Sequence, residues 1–276
     1  MMKKLSVVIP SRNGLVILKE FLPAIIRETG KAGGEVLVVD DCSTDNTLRE
    51  FGSLFPGITL LSRKTNPGFC HAVNLGMSRA EGSFLMLLNN DTIPEKNAFV
   101  ELVSALDGSQ SDIAVAVPSI IRPDGSDDSC YHWAFIHGLA VTGERISGEE
   151  YPSGACALWK RRVWEELGGL SADYAPIYWE DTDLGVRMHR AGYKMKKCSG
   201  VIVNHQHAAT MGCSLQSQSL RERNRFVFMD RNCISSAEKM SRRCWLPVHL
   251  TLALLRGNRA FIRGYMDYLK LKRNQK

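Results

Sequence analysis

Three short apolar runs early in the chain, each closing on polar or acidic residues, constrain the fold more than any other feature. Residues 5–9 stop at Pro10, residues 35–39 stop at Asp40 and Asp41, and residues 84–88 stop at Asn89, Asn90 and Asp91. Each run is too short for a helix and has no regular polar alternation, so each reads as a strand buried on both faces. A further strand is expected near residues 58–61. Between the strands the spacing is helical: Leu18, Phe21, Leu22 and Ile25 share a face, with Pro23 as a candidate kink, and residues 70–80 form a second stretch. Strands alternating with helices build a mostly parallel sheet covered on both sides. Ligands of such sheets sit beyond the carboxyl ends of the strands, and here those ends carry Asp40, Asp41 and Asp91.

The remainder is less regular. Residues 118–153 are rich in Gly, Asp and Ser with weak periodicity, and are expected to supply strands and loops that cover the site. Helices are predicted over residues 163–169 and from Asp181 or Thr182 to Ala191, with Asp183 in the first turn and Gly192 as the stop. Residues 201–203 form a late strand leading into His205, and from about Ser219 the pattern is helical to the end.

Composition excludes several classes. With 276 residues, 44% hydrophobic and 23% charged, the chain is neither disordered nor fibrous. Its +6 charge is uneven: from Arg221 onward 14 Lys and Arg face 4 Asp and Glu, whereas the preceding residues hold 21 against 25. The tail therefore suits an anionic partner. None of the eight cysteines forms a C-x-x-C pair, which argues against a zinc ribbon or redox motif, and most have apolar neighbours, as free thiols do in a reducing compartment. The N-terminal apolar run is too short for a signal peptide, and the longest apolar stretch, residues 245–255, is broken by Pro247 and His249. It falls short of the ~20 residues that span a bilayer. A cytoplasmic protein is expected, with peripheral contact at the inner face of the cell membrane as an option for the tail.

Taken in order, several pieces form a pattern. They are Pro10-Ser11-Arg12-Asn13, Asp40-Asp41-Cys42-Ser43-Thr44-Asp45, and Asn66-Pro67-Gly68-Phe69 with Asn74 and Gly76 beyond. Asn89-Asn90-Asp91-Thr92, Ser153-Gly154-Ala155, Trp179-Glu180-Asp181-Thr182-Asp183 and His205 follow. The pattern resembles the family 2 inverting glycosyltransferases of the GT-A fold, especially their rhamnosyltransferase-like branch, over roughly residues 5–232. It implies a GT-A catalytic domain at residues 1–232, a mixed α/β sheet of Rossmann-like character, and a basic amphipathic helical region at residues 233–276.

The resemblance also implies roles. Asp41 would accept from the N–H of uracil or thymine, which points to a UDP- or dTDP-sugar donor; capping of the following turn is the alternative. Pro10, Arg12, Asn66, Asn74, Asn89 and Asn90 would line the nucleotide-sugar site, and Gly68 would let the backbone approach it closely. Asp91 stands at the last residue of the family's Asp-x-Asp metal motif, where a carboxylate holds Mg²⁺ or Mn²⁺ against the diphosphate. The chain departs from that motif at Asn89, which brings no charge. His205 would complete the metal shell, with His207 as its rival. Asp181 would be the general base that takes the acceptor hydroxyl proton, helix capping being the alternative. Asp183 would stabilise the helix N-terminus. Glu180, Trp179, Tyr178 and Trp133 are candidates for acceptor contact. The pair Arg231-Asn232 also matches a recurrent family pair.

In the tail, Phe261, Ile262, Tyr265, Tyr268 and Leu269 form an apolar stripe among Arg259, Arg263, Lys270, Lys272 and Arg273. It suits either packing on the catalytic domain or attachment to an anionic membrane, and no nucleic-acid module accompanies the charge. The expected function is inverting sugar transfer to a hydroxyl of a lipid-linked glycan or polysaccharide in cell-envelope biosynthesis. The rivals are a catalytically silent sugar-nucleotide-binding protein, favoured by Asn89, and a nucleotidyltransferase, which would need a basic Gly-rich loop that residues 10–14 match poorly.

Overall fold

In the computed structural model, residues 3–206 and 214–274 are described. His207 and Cys213 lie outside them. The elements follow in order β1 (Leu5–Ser11), α1 (Leu15–Lys31), β2 (Glu35–Asp41), α2 (Thr47–Leu54), β3 (Thr59–Arg63), α3 (Phe69–Arg79), β4 (Phe84–Leu88), β5 (Thr92–Pro94) and α4 (Ala98–Asp107). Then come β6 (Ile113–Ile121), β7 (Cys130–Ile136), β8 (Leu139–Gly143), β9 (Glu149–Pro152), β10 (Cys156–Lys160), α5 (Arg161–Leu167), α6 (Glu180–Arg190) and β11 (Lys194–His205). The chain closes on α7 (Leu215–Asn232), α8 (Ser236–Leu255) and α9 (Arg259–Asn274).

The main sheet has the order β3-β2-β1-β4-β10-β6-β11-β5. β1 pairs in parallel with β2 and β4, and β2 with β3, so their carboxyl ends share one edge. β10 runs antiparallel between β4 and β6, and β5 antiparallel to β11. A small antiparallel sheet, β8-β7-β9, occupies the weakly periodic middle.

The continuous apolar runs explain the layering. Side chains alternate along a strand, so Val7 and Ile9 enter one core with Leu18, Leu22, Phe99 and Leu102, while Val8 enters another with Val73, Met77, Trp159 and Trp164. Both faces need apolar residues because both are covered. Each buried aliphatic side chain contributes about 1.5–3 kcal/mol. α3 lies close on β1 and β2: a Cβ on Gly76 would stand 2.3 Å from Val8 Cγ1 and 2.9 Å from Val39 Cγ2. Only a glycine permits this approach.

The C-terminal helices pack onto the second core. Phe226 of α7 meets Phe261 (5.7 Å), Tyr265 (5.0 Å) and Tyr268 (5.3 Å) of α9, centroid to centroid. The stripe predicted on α9 therefore faces α7, the first of its two expected uses. The large apolar side chains left exposed include Trp245, Val248, Leu252, Leu254 and Leu255 of α8. No described helix is long and apolar enough to cross a membrane.

Candidate active site

The parallel strand ends are tied into one shelf. Asn90 Nδ2 donates to Ser11 Oγ (3.0 Å), joining the residues after β4 to the end of β1. Asn13 N donates to Ser43 Oγ (2.8 Å) and Thr44 N to Asn13 Oδ1 (2.7 Å), joining the loops after β1 and β2. Asp41 is buried; its Oδ1 accepts from Arg63 Nη1 (2.5 Å) and its Oδ2 from Gly68 N (2.6 Å). A carboxylate oxygen has two lone pairs, so each retains one. Asp40 is fully buried, and its Oδ1 has no hydrogen-bond partner.

The other expected nucleotide residues divide. Pro10 lies half-buried within β1 beside Val39, and Arg12 and Asn66 are exposed. Asn66 also offers its carbonyl to Arg63 Nη2 (3.0 Å). Asn74 donates through Nδ2 to Leu170 O (2.7 Å) and accepts at Oδ1 from Leu170 N (3.0 Å), so its amide serves that junction.

At one end of the shelf, Asp91 meets the end of β11. Asp91 Oδ1 is 3.2 Å from His205 Nε2, both residues are buried, and Asn89 Nδ2 lies 3.4 Å from the same nitrogen. His205 Nδ1 lies 2.8 Å from Asp128 Oδ2. Asp128 Oδ1 in turn accepts from Arg122 Nη2 (2.5 Å) and from the Tyr131 hydroxyl. Burial pushes the His205 pKa down, but the carboxylates of Asp128 and Asp91 outweigh it and hold the group up at about 9. Neighbouring ligands of an octahedral ion with bonds of ~2.1 Å stand about 3 Å apart, which the Asp91–His205 spacing matches. Among the described residues no group of three or more His, Cys, Asp or Glu forms a complete cage. A carboxylate and an imidazole still fit an ion such as Mg²⁺ or Mn²⁺ that draws its other ligands from water and phosphate.

The acidic pair stands in the first turn of α6. Asp181 sits half-buried in the first turn of α6, and its Oδ1 accepts from Thr182 N (2.7 Å). Gly154 packs beside it: a Cβ there would stand 3.8 Å from Asp181 Oδ2 and 3.9 Å from Phe69 Cε1, in ordinary contact with both. Burial raises the Asp181 pKa, opposed by the backbone N–H groups of Thr182 and Gly154. Glu180 is buried, and its Oε2 has no hydrogen-bond partner. Burial, with the Asp181 charge second, holds its carboxyl well above the usual range.

The loop that presents this pair is strained and clamped. Tyr178 (φ +83°) and Trp179 (φ +75°) occupy the left-handed region, at about 1–3 kcal/mol each. α7 holds them: Asn224 Nδ2 donates to the carbonyls of Tyr174 (2.6 Å), Ile177 (2.8 Å) and Tyr178 (3.1 Å). Trp179 Nε1 donates to Arg221 O (3.0 Å), and the Tyr178 hydroxyl lies 2.7 Å from Ser217 Oγ. Phe69 N donates to Pro176 O (2.7 Å), linking this loop to the Gly68 side of the shelf. Asn89 N donates to Ala155 O (2.9 Å), linking the Asp91 end to the strand start beside Gly154.

Two expectations are corrected here. Trp179 is only 5% exposed and lies 4.9 Å from the Phe228 ring, so it belongs to the core and offers no face to an acceptor sugar. Asp183 does more than complement a helix end. It is buried and accepts from Tyr174 Oη (3.0 Å), Arg187 Nε (2.7 Å) and Asn232 Nδ2 (3.0 Å), which gives the Arg231-Asn232 pair a place in joining α7 to α6. Trp133 and Tyr178 are half-buried; Trp133 Nε1 donates to Glu149 Oε2 (2.8 Å). Sequence reasoning missed Asp128 and Asn224, whose partners His205 and residues 174–178 lie far along the chain, and with Asp128 the nearby Arg122 and Tyr131 that hold it.

Comparison with known proteins bears on the family and the fold. The chain is 26% identical to the O-antigen chain rhamnosyltransferase WbaN of Salmonella anatum over 76% of its own length and 68% of that protein. It is 27% identical to the probable glycosyltransferase YdaM of Bacillus subtilis, covering 75% of this chain but only 51% of that one. The fold superposes on the mannosyltransferase PcManGT of Pyrobaculum calidifontis, solved with GDP-Man and Mn2+, with a TM-score of 0.61, 17% identity and coverage of 98% of this chain and 88% of that one. The architecture is thus GT-A. The family described as Glycosyl transferase family 2 matches residues 6–168, more than half of the chain, and the protein belongs to it.

Proposed function

We propose that the protein transfers a sugar, with inversion, from a UDP- or dTDP-sugar to a hydroxyl of a cell-envelope glycan or its lipid-linked precursor. The observation that carries this reading is the Asp91–His205 pair, 3.2 Å apart, at the same strand-end shelf that leads through Ala155 and Gly154 to Asp181. Asp41, with its spare lone pairs, receives the nucleotide base, and Arg12, Asn66 and the Gly68 backbone border the donor. Asp91 and His205 would hold Mg²⁺ or Mn²⁺, which when bound offsets the charge developing on the diphosphate leaving group. Asp181 takes the proton of the acceptor hydroxyl, and its raised pKa suits that task better than an ordinary carboxylate would. Glu180, buried beside it, supports Asp181 rather than touching the acceptor. The rhamnosyltransferase relative favours a deoxyhexosyl donor.

The residues to 232 form the catalytic unit, and α8 with α9 forms an appendage whose exposed Leu252, Leu254 and Leu255, near Arg256, meet an anionic membrane surface. A donor screen that reads released nucleoside diphosphate, with and without Mn²⁺, tests the central reading. Metal-stimulated release from one UDP- or dTDP-sugar in the presence of a glycan acceptor is expected. No release from any donor, with donor binding intact, would favour the silent binding protein.

A further inference from the structure

Resting on that reading of the metal end, the geometry points to Asp128 as the residue that positions His205, acting through a clamp built by Arg122 and Tyr131. A histidine binds a cation through one ring nitrogen, and the hydrogen bond made by the other nitrogen decides which one carries the proton. Asp128 Oδ2 lies 2.8 Å from His205 Nδ1, so a neutral His205 donates from Nδ1 to this carboxylate. The lone pair is then left on Nε2, the atom that faces Asp91 Oδ1 at 3.2 Å. Without Asp128 the ring could flip or change tautomer, and Nε2–H would point at the place a cation must take.

The carboxylate is itself held. Asp128 is buried, and the cost of burying its charge is offset by Arg122, whose Nη2 donates to Oδ1 (2.5 Å), by the Tyr131 hydroxyl on the same oxygen, and by His205. Its backbone is fixed as well, since Asp128 N donates to Ile120 O (2.7 Å) at the end of β6. β6 is the parallel neighbour of β11, which carries His205. The carboxylate and the imidazole therefore project from one rigid edge. Outer-shell partners of this kind typically change metal affinity by about 10–100-fold when removed.

The test titrates Mn²⁺ into the full chain at saturating UDP and follows water-proton relaxation enhancement, which separates protein-bound Mn²⁺ from Mn²⁺–UDP. In parallel, long-range ¹H–¹⁵N correlation of histidine-labelled, metal-free protein at a pH where His205 is neutral reads its tautomer. Asp128→Ala and the isosteric Asp128→Asn should weaken Mn²⁺ binding about 10–100-fold and move the His205 proton off Nδ1. Tyr131→Phe, which leaves Arg122 in place, should lose less and keep the Nδ1–H form. Folded Asp128 variants with wild-type Mn²⁺ affinity and an unchanged Nδ1–H tautomer would overturn the assignment while leaving the metal site standing. Absence of Mn²⁺ binding by the wild-type protein would overturn both.

Discussion

The Asp91–His205 cluster and the Glu180–Asp181 pair handle charge in opposite ways. Around Asp91 and His205, ionised groups are matched: Asp128 faces Arg122, Tyr131 and His205, and the imidazole stands between two carboxylates. Around Glu180 and Asp181 the matching is weaker: the charge of Arg221 and nearby backbone N–H groups oppose burial without overcoming it. Glu180 Oε2 has no hydrogen-bond partner, and both carboxyls are pushed upward by burial. An imidazole held between carboxylates can give up its proton to a cation and stay in place as a ligand. An under-compensated carboxylate is prepared to accept a proton. If Asp91 with His205 holds the cation and Asp181, in the first turn of α6, takes the proton, as proposed above, separate variants should separate their effects.

The largest effect is expected at Asp181, the proposed base. Asp181→Asn keeps the shape and the contact with Thr182 but cannot take a proton, so turnover should fall on the order of 10²–10⁴-fold. Wild-type turnover in steady-state kinetics would remove Asp181 from the mechanism. His205→Ala should weaken Mn²⁺-dependent UDP affinity on the order of 10²-fold, read by calorimetry, and an unchanged affinity would make His205 structural.

A smaller effect concerns the tail. Removing α8 and α9 would uncover Phe226 on α7, so truncation is a poor probe; Leu252→Gln with Leu254→Gln and Leu255→Gln leaves that packing alone. The triple variant should float with phosphatidylglycerol vesicles about ten-fold less, and equal flotation would argue against a membrane role for this face.

The smallest expected effect is a shift in a pH profile. A base works deprotonated, and burial raises the Asp181 pKa. The acid limb of kcat/KM should therefore lie above the ~3.9 of an unperturbed aspartate, with activity lost as pH falls through it. Because Glu180 and Asp181 interact, the limb belongs to the pair. An acid limb at the unperturbed value would mean that the carboxylate is solvated in the working enzyme.

The parallel half of the fold was legible because β1, β2 and β4 are mostly apolar and buried on both faces, with polar or acidic residues at their ends. Asp40, Asp41, Asn89 and Asp91 could be placed at the shelf from that pattern alone, and His205 from the strand before it. Asp128 could not, since it lies in a segment whose small, antiparallel sheet gives only weak periodicity, and its partner is His205, far along the chain. Asn224 was hidden for a related reason: a polar residue in a helix looks solvated until the carbonyls of residues 174, 177 and 178 are seen to meet it. The aromatic pair Tyr178 and Trp179 suggested a sugar platform, but Trp179 belongs to the core through Phe228. Amphipathicity on α9 showed that a stripe must be covered; only packing revealed that α7 covers it.

The separation of the two roles is tested most directly by measuring Mn²⁺-dependent UDP affinity for Asp181→Asn and Asp91→Asn side by side, by calorimetry under one set of conditions. Asp181→Asn should bind UDP and Mn²⁺ within about two-fold of wild type, because a base acts only in proton transfer, whereas Asp91→Asn should lose the metal-dependent part of the affinity. Equal losses in both variants, or full retention in Asp91→Asn, would contradict it.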